Sequence, residues 1–276
     1  MTTVLITGAS SGIGRVTALR LAKKRYRVIG TGRSSTRLQK LSQDAEKIGL
    51  NIETIQIDLN SFKSTYNAFE SGLLGKSGID VLVNNAGFGM WGPLETLSHE
   101  EMQAQFQTNL FGLMELTRLA IPQLRASDKG QIINISSILG RIGAPFNGAY
   151  VASKFAVEGL SESLRLELSP FGISVSIVEP GNFVTEFEQN QILGRNSEST
   201  KFPYSELLHN YRTRRRLFDW AANPEKVAKV IEGIIKSSSP KLRYVVGLDA
   251  RLALIARQVL PEKLFFHILK RMSIGD

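Results

Sequence analysis

The chain is predicted to be α/β, a single domain on a parallel, doubly wound sheet of about seven strands, and three observations predict it. Short apolar runs alternate with longer amphipathic stretches along most of the 276 residues. A glycine-rich turn, Thr7-Gly8-Ala9-Ser10-Ser11-Gly12-Ile13-Gly14, stands between the first apolar run and the first helical pattern. No repeats, low-complexity tracts or Pro/Gly-rich linkers suggest a second domain.

The apolar runs place strands near 3–7, 27–31, 51–57, 79–83, 130–136, 173–179 and 242–246. Helical periodicity fills most gaps, at 12–24, 36–48, 61–74, 99–127, 149–169 and 223–237. Strands joined by helical crossovers pair in parallel. Beyond them, residues 251–271 interleave Arg251, Arg257, Lys263, Lys270 and Arg271 with Leu252, Ile255, Val259, Leu264, Phe265 and Ile268, and Pro261 is expected to split this stretch into two short helices.

The turn at Gly8, Ser10, Ser11, Gly12, Ile13 and Gly14 has the chemistry of a phosphate cradle. Glycines leave room for a pyrophosphate, and the free N–H groups of the following helix attract its charge. Farther along come Asn134-Ile135-Ser136-Ser137 and Tyr150-Val151-Ala152-Ser153-Lys154. Tyrosine and lysine four apart share a helix face. The ammonium is expected to draw the phenol's pKa down from about 10, so that it can donate or accept a proton. Ser137 ends a strand, so its hydroxyl projects past the C-terminal edge of the sheet, where such folds bind ligands. There it could hydrogen-bond a substrate oxygen as charge develops.

With these residues in view, the chain resembles the short-chain dehydrogenase/reductase family, in its single-domain branch, over roughly residues 3–186. The match runs through the glycine loop, Asp58-Leu59, Asn84-Asn85-Ala86-Gly87, Asn109, Ser137, Tyr150 with Lys154, and Pro180-Gly181 followed by Thr185. The resemblance implies a Rossmann-type fold, with Tyr150 as general acid/base and Lys154 lowering its pKa and binding the nicotinamide ribose. Ser137 would orient the reacting oxygen, and Asn109 would hold a water connecting Lys154 to solvent. Asp58 and Leu59 would meet the adenine, Asn85, Ala86 and Gly87 the adjacent ribose region, and Pro180, Gly181, Phe183 and Thr185 the nicotinamide end. It also implies transfer of the pro-S hydride, and a homodimer or homotetramer through the helices at 99–127 and 149–169. Taken singly, several positions have plainer readings: Asp58 as a helix cap, Asn109 as a partner for backbone groups. A protein that binds the dinucleotide without catalysis is the alternative from another class, and every proposed catalytic position is filled.

The end of the second strand, Val28-Ile29-Gly30-Thr31-Gly32-Arg33-Ser34, bears on which dinucleotide is used. An acidic side chain there would bind the 2′-hydroxyl of NAD, whereas an arginine suits a 2′-phosphate. Gly32 stands where family members using NAD carry Asp, and Arg33 follows, so NADP(H) is favoured; Ser34 and Arg37 are further candidate contacts. Ser11, where many NADP-using members have a basic residue, keeps NAD(H) open.

Composition narrows the rest. The absence of cysteine excludes disulfides and thiol chemistry, and His99, His209 and His267 lack ligand spacing, so no metal is expected. The first strand begins about three residues from Met1, and no apolar stretch reaches the ~18 residues of a spanning helix, which leads to the expectation of a cytoplasmic protein. The net charge is +9, with the densest run at Arg212-Thr213-Arg214-Arg215-Arg216, but no nucleic-acid module accompanies it. The expected division is a dinucleotide-binding catalytic domain over 1–248, with a lid at about 183–222, and a C-terminal extension over 249–276. The lid holds Phe183, Phe187, Phe202, Tyr204, Phe218 and Trp220, and nearby loops add Phe88, Met90, Trp91, Leu139, Ile142 and Phe146. More than half should be core, and the remainder suits a lipophilic carbonyl or alcohol. The stretch Leu139 to Phe146 resembles the 17β-hydroxysteroid and retinol dehydrogenase branch, implying a steroid, retinoid or long-chain substrate. The basic extension could cover the pocket, pack on a subunit, or touch an anionic membrane peripherally.

Overall fold

A computed structural model describes residues 1–70, 74, 78–187, 190–199, 201–217 and 221–275. Its first half contains β1 (Thr3–Ile6), α1 (Gly12–Lys23), β2 (Arg27–Gly32), α2 (Ser35–Glu46), β3 (Glu53–Gln56), α3 (Phe62–Glu70), β4 (Val81–Asn84), β5 (Met90–Trp91), α4 (His99–Phe106) and α5 (Gly112–Ala126). Then follow β6 (Gln131–Ile135), α6 (Gly148–Leu168), β7 (Ser174–Pro180), β8 (Ile192–Leu193), α7 (Ser205–Leu217), α8 (Glu225–Lys236), β9 (Arg243–Val246), α9 (Leu248–Val259) and α10 (Glu262–Ser273). Seven strands form one parallel sheet in the order β3-β2-β1-β4-β6-β7-β9, matching all seven predicted strands.

Strand burial explains the sequence pattern. Val4-Leu5-Ile6 and Val81-Leu82-Val83 are apolar throughout because helices cover both faces. Alternate residues point to opposite faces. Val4, Ile6 and Val83 pack with Leu21, Val227, Ile231 and Ile234 of α1 and α8. Leu5 and Leu82 pack on the other side with Leu116, Ala120, Leu124 and Leu164 of α5 and α6.

The helix expected over 99–127 is interrupted. A π-helical turn, Gln107–Phe111, separates α4 from α5 and carries Asn109, which is 1 % exposed. One extra residue in a turn rotates a side chain inward without disturbing the average apolar period, so periodicity does not reveal it. The helix expected over 61–74 is observed as Phe62–Glu70, and residues 71–73 lie outside the described ones. Strands β5 and β8 pair in parallel over two residues each, too few for alternation to register. Pro261 separates α9 from α10, as expected.

Sheet order reverses between β1, which continues to β2 and β3, and β4, which continues to β6, β7 and β9. A crevice therefore opens beyond the C-terminal ends of β1 and β4, the place where such sheets take ligands.

Candidate active site

The glycine loop lines that crevice. Gly8 and Gly12 have φ of +65° and +50°, in the left-handed region. A Cβ on Gly14 would lie 2.3 Å from the Gly8 carbonyl oxygen. Thr7 and Asn85 brace the turn: Thr7 Oγ1 accepts from the Asn85 and Ala86 amides at 2.9 Å, and Asn85 Nδ2 donates to Thr7 O at 2.9 Å and Gly8 O at 3.3 Å. Gly14→Ala must therefore displace backbone, and we expect it to lower stability by about 1–3 kcal/mol, measured by urea denaturation.

The first-turn amides behave as an anion site. The Gly12 N–H donates to Glu186 Oε2 at 2.9 Å, so a carboxylate stands where helix N-termini take phosphate. Thr185 Cβ would be 3.5 Å from a Cβ on Gly12, which brings the segment after Pro180 to the same place. An anion-seeking cradle with a carboxylate in it fits a pyrophosphate. Gly87 is equally close-packed, 3.1 Å from Asn109 Oδ1 if given a Cβ.

Tyr150, Lys154 and Ser137 meet at the next strand end. Tyr150 and Lys154 are buried on one face of α6, with Lys154 Nζ 5.8 Å from the Tyr150 ring centroid. Lys154 Nζ donates to Ile135 O at 2.8 Å, tying the helix to the end of β6. Ser137 lies directly past that strand, its Oγ accepting from the Leu139 amide at 3.1 Å. The expectation that Lys154 draws the phenol down is reversed here. Burial pushes Tyr150 up to about 12, and the Ser137 hydroxyl beside it works the other way without overcoming burial. Burial likewise lowers Lys154 to about 8, against the pull of Glu158. Sequence spacing shows the pair but not its desolvation, which wins.

Other positions take structural parts. Asn109 accepts from the Phe88 amide at 3.1 Å and donates to Phe88 O at 3.0 Å and Ser153 Oγ at 3.2 Å, so its amide holds the 87–88 loop against α6. Asp58 Oδ1 accepts from the Asn60 amide at 3.0 Å and so forms a turn rather than capping α3, whose Ser64 amide goes to Ser61 Oγ. Leu59 is buried, in the core under Gly112, and Phe183 sits in the core with Val178 and Val246. The Leu59 and Phe183 side chains thus pack inside the fold, because apolar groups at strand ends gain more from the core than from the crevice. Ala86 packs against Gly8. Ser10 lies 3.3 Å from the place of a Cβ on Gly32, so the end of β2 overhangs the loop. Arg33 beside it is exposed, and Ser34 accepts from the Arg37 amide as the cap of α2. Ser11 precedes α1 without a side-chain cap, and Ile13 packs on the core.

Sequence reasoning missed Asp249. Its Oδ2 accepts from the Asn182 amide at 2.6 Å, and a Cβ on Gly181 would lie 2.3 Å from the same carboxylate. The start of the proposed extension thus clamps the turn after Pro180; an acid in the first turn of a helix was its only sequence signal.

Aromatic contacts hold the segment carrying Tyr204 and Tyr211 against the loop at Phe146. Phe146 packs edge-on to Tyr211 at 5.4 Å and to Tyr204 at 6.5 Å, and Asn147 Nδ2 donates to the Tyr211 hydroxyl at 2.8 Å. Arg212 stacks over Trp91 at 5.0 Å and pairs with Glu198 at 2.7 Å, so this member of the basic run is not simply solvated. Phe187 lies 5.8 Å from Tyr150, ring to ring. Met90 and Ile142 are core. Phe218 and Trp220 lie outside the described residues, as do the side chains of Arg215 and Arg216. Among the described residues no cluster suits a metal ion and no helix is long and apolar enough to cross a membrane.

Comparison with known proteins agrees with this geometry. The profile of the short chain dehydrogenase family matches residues 2–196. Human retinol dehydrogenase 8 is 42 % identical over 253 residues, covering 87 % of this chain and 80 % of the relative. A 3-ketodihydrosphingosine reductase of Bacteroides thetaiotaomicron is 35 % identical over 268 residues, covering 97 % and 96 %. The crystal structure of a metagenomic short-chain oxidoreductase in complex with NADP superimposes with a TM-score of 0.70 at 30 % identity, covering 89 % and 96 %. Sheet order, glycine-rich loop, tyrosine-lysine pair and these likenesses together make the chain a member of the short-chain dehydrogenase/reductase family of oxidoreductases.

Proposed function

We propose that the protein is an NADP(H)-dependent reductase of a lipophilic carbonyl, or the matching secondary-alcohol dehydrogenase. The observation that carries this reading is the meeting of buried Tyr150, Lys154 and Ser137 beside the glycine cradle at one sheet edge. NADPH, when bound, supplies the hydride. Gly8 to Gly14 would hold its pyrophosphate, Arg33 its 2′-phosphate, and Thr185 its nicotinamide end. In reduction, Tyr150 gives its proton to the substrate oxygen, Ser137 donates a hydrogen bond to that oxygen, and Lys154 faces the emerging phenolate with a positive charge. Exposed Arg33 after side-chain-free Gly32 supports the NADP choice.

The substrate class is supported by the aromatic walls and by relatives whose names specify retinol and 3-ketodihydrosphingosine, each a long apolar body with one reacting oxygen. Residues 183–222 would act as the lid, and α10 would cover it, since Arg214 of α7 donates to Arg271 O at 2.9 Å. Leu252, Ile255, Val259 and Leu264 remain exposed near Arg251 and Lys263, which supports peripheral contact with an anionic membrane. Exposed Phe111, Met114 and Phe155 on the π turn, α5 and α6 support self-association there.

The test is loss of absorbance at the reduced nicotinamide band, with NADPH and NADH offered against steroid, retinoid and long-chain carbonyls. Preferential turnover of polar sugars would overturn the substrate class. Because the Glu186 carboxylate occupies the anion site, Glu186→Gln is expected to tighten NADPH binding about two- to fivefold, the scale of a charge at a helix N-terminus, by fluorescence titration.

A further inference from the structure

Behind the active helix lies a set of buried charges that the chemistry above does not use. Glu158 follows Lys154 by one turn of α6 and is 5 % exposed, and Glu179 on β7 is fully buried. Arg243 of β9 reaches both: Nε donates to Glu158 Oε2 at 3.0 Å and stands 3.2 Å from Glu179 Oε1. Its Nη2 extends outward to Glu162 at 2.6 Å, and Arg141 donates to Glu179 Oε1 at 3.1 Å. Gly140 leaves the room, since a Cβ there would lie 2.6 Å from Ser136 Oγ and 3.2 Å from Glu158 Cγ. Glu179 Oε2 is buried without a hydrogen-bond partner among the described residues.

A buried ammonium is costly without a counter-charge. The hydrogen bond from Lys154 Nζ goes to Ile135 O, a neutral carbonyl, which orients the group but does not balance it. The carboxylate acting on it is Glu158. Burial, with Glu179 adding to it, raises the Glu158 carboxyl above its ordinary value, while the Ser136 hydroxyl and Arg243 act to lower it. The charged groups facing the pair are thus Glu162 on α6, Glu179 on β7, Arg243 on β9 and Arg141 after β6.

We propose that Glu158, held ionised by Arg243, is the counter-charge that keeps Lys154 an ammonium beside Tyr150, and so is a positioning residue for the reaction. The importance of that ammonium rests on the function proposed above. The titration of Lys154 itself does not.

The experiment follows the ¹⁵N resonance of Lys154 Nζ against pH in the full-length protein, assigned with Lys154→Arg, alongside the pH profile of NADPH-dependent reduction. Glu158→Gln keeps the shape and removes the charge, so Lys154 is expected to titrate at least about one pH unit lower. Glu158→Asp keeps the charge and should remain near the parent. Arg243→Gln weakens the ionisation of Glu158 and should move Lys154 in the same direction by less. An unmoved titration in Glu158→Gln, or an equal shift in Glu158→Asp, overturns the proposal; should Glu158→Gln not fold, an unmoved titration in Arg243→Gln does so. A shifted titration with an unmoved pH profile of turnover supports the counter-charge and counts against the catalytic reading of Lys154.

Discussion

Tyr150→Phe is expected to lose about 10²- to 10⁴-fold in kcat while NADPH binds as in the parent. The phenyl ring retains the volume packed against Phe187 at 5.8 Å, so the fold and crevice persist and only the proposed proton donor is removed. Single-turnover reduction and NADPH fluorescence titration, done side by side, separate the two effects; equal loss in both would assign Tyr150 to binding. The pH behaviour follows in sign. A phenol pushed up to about 12 keeps its proton through neutral pH, which favours reduction and starves alcohol oxidation of phenolate. Lys154, lowered to about 8, is charged at pH 7 and loses its charge above pH 8. Reduction should therefore hold across neutral pH and decline near pH 8, whereas oxidation should gain as hydroxide removes the phenol proton.

Arg33→Asp should move cofactor preference from NADPH toward NADH by about 5- to 150-fold, equivalent to ~1–3 kcal/mol. The substitution removes a guanidinium suited to a 2′-phosphate and installs a carboxylate that repels it and can accept from a ribose hydroxyl. Arg33 is exposed at the end of β2, so stability should change little. The ratio of kcat/KM for the two cofactors is the measurement, and an unchanged ratio would remove Arg33 from the recognition of NADP.

Much of this protein was legible in the order of its residues. Buried parallel strands need continuous apolar runs, so Val4-Leu5-Ile6 and Val81-Leu82-Val83 declared themselves, and helices between them left little choice of topology. Gly8, Gly12 and Gly14 were equally plain, because close backbone approach at Gly8 and Gly14 and a left-handed φ at Gly12 disfavour side chains. Tyr150 and Lys154 were found by a four-residue spacing that survives in any helix.

Tertiary structure decided what spacing does not encode. It turned Asn109 inward through a π turn, put Leu59 and Phe183 into the core, committed Asn85 to bracing Thr7 and Gly8, and brought Asp249 onto the turn at Gly181. It also reversed the expected tuning of Tyr150, because desolvation depends on how much protein surrounds a group rather than on which residue stands four places away. Sequence alone determined the chemical types and their local geometry; long-range packing determined which were buried, which were paired, and therefore their charge.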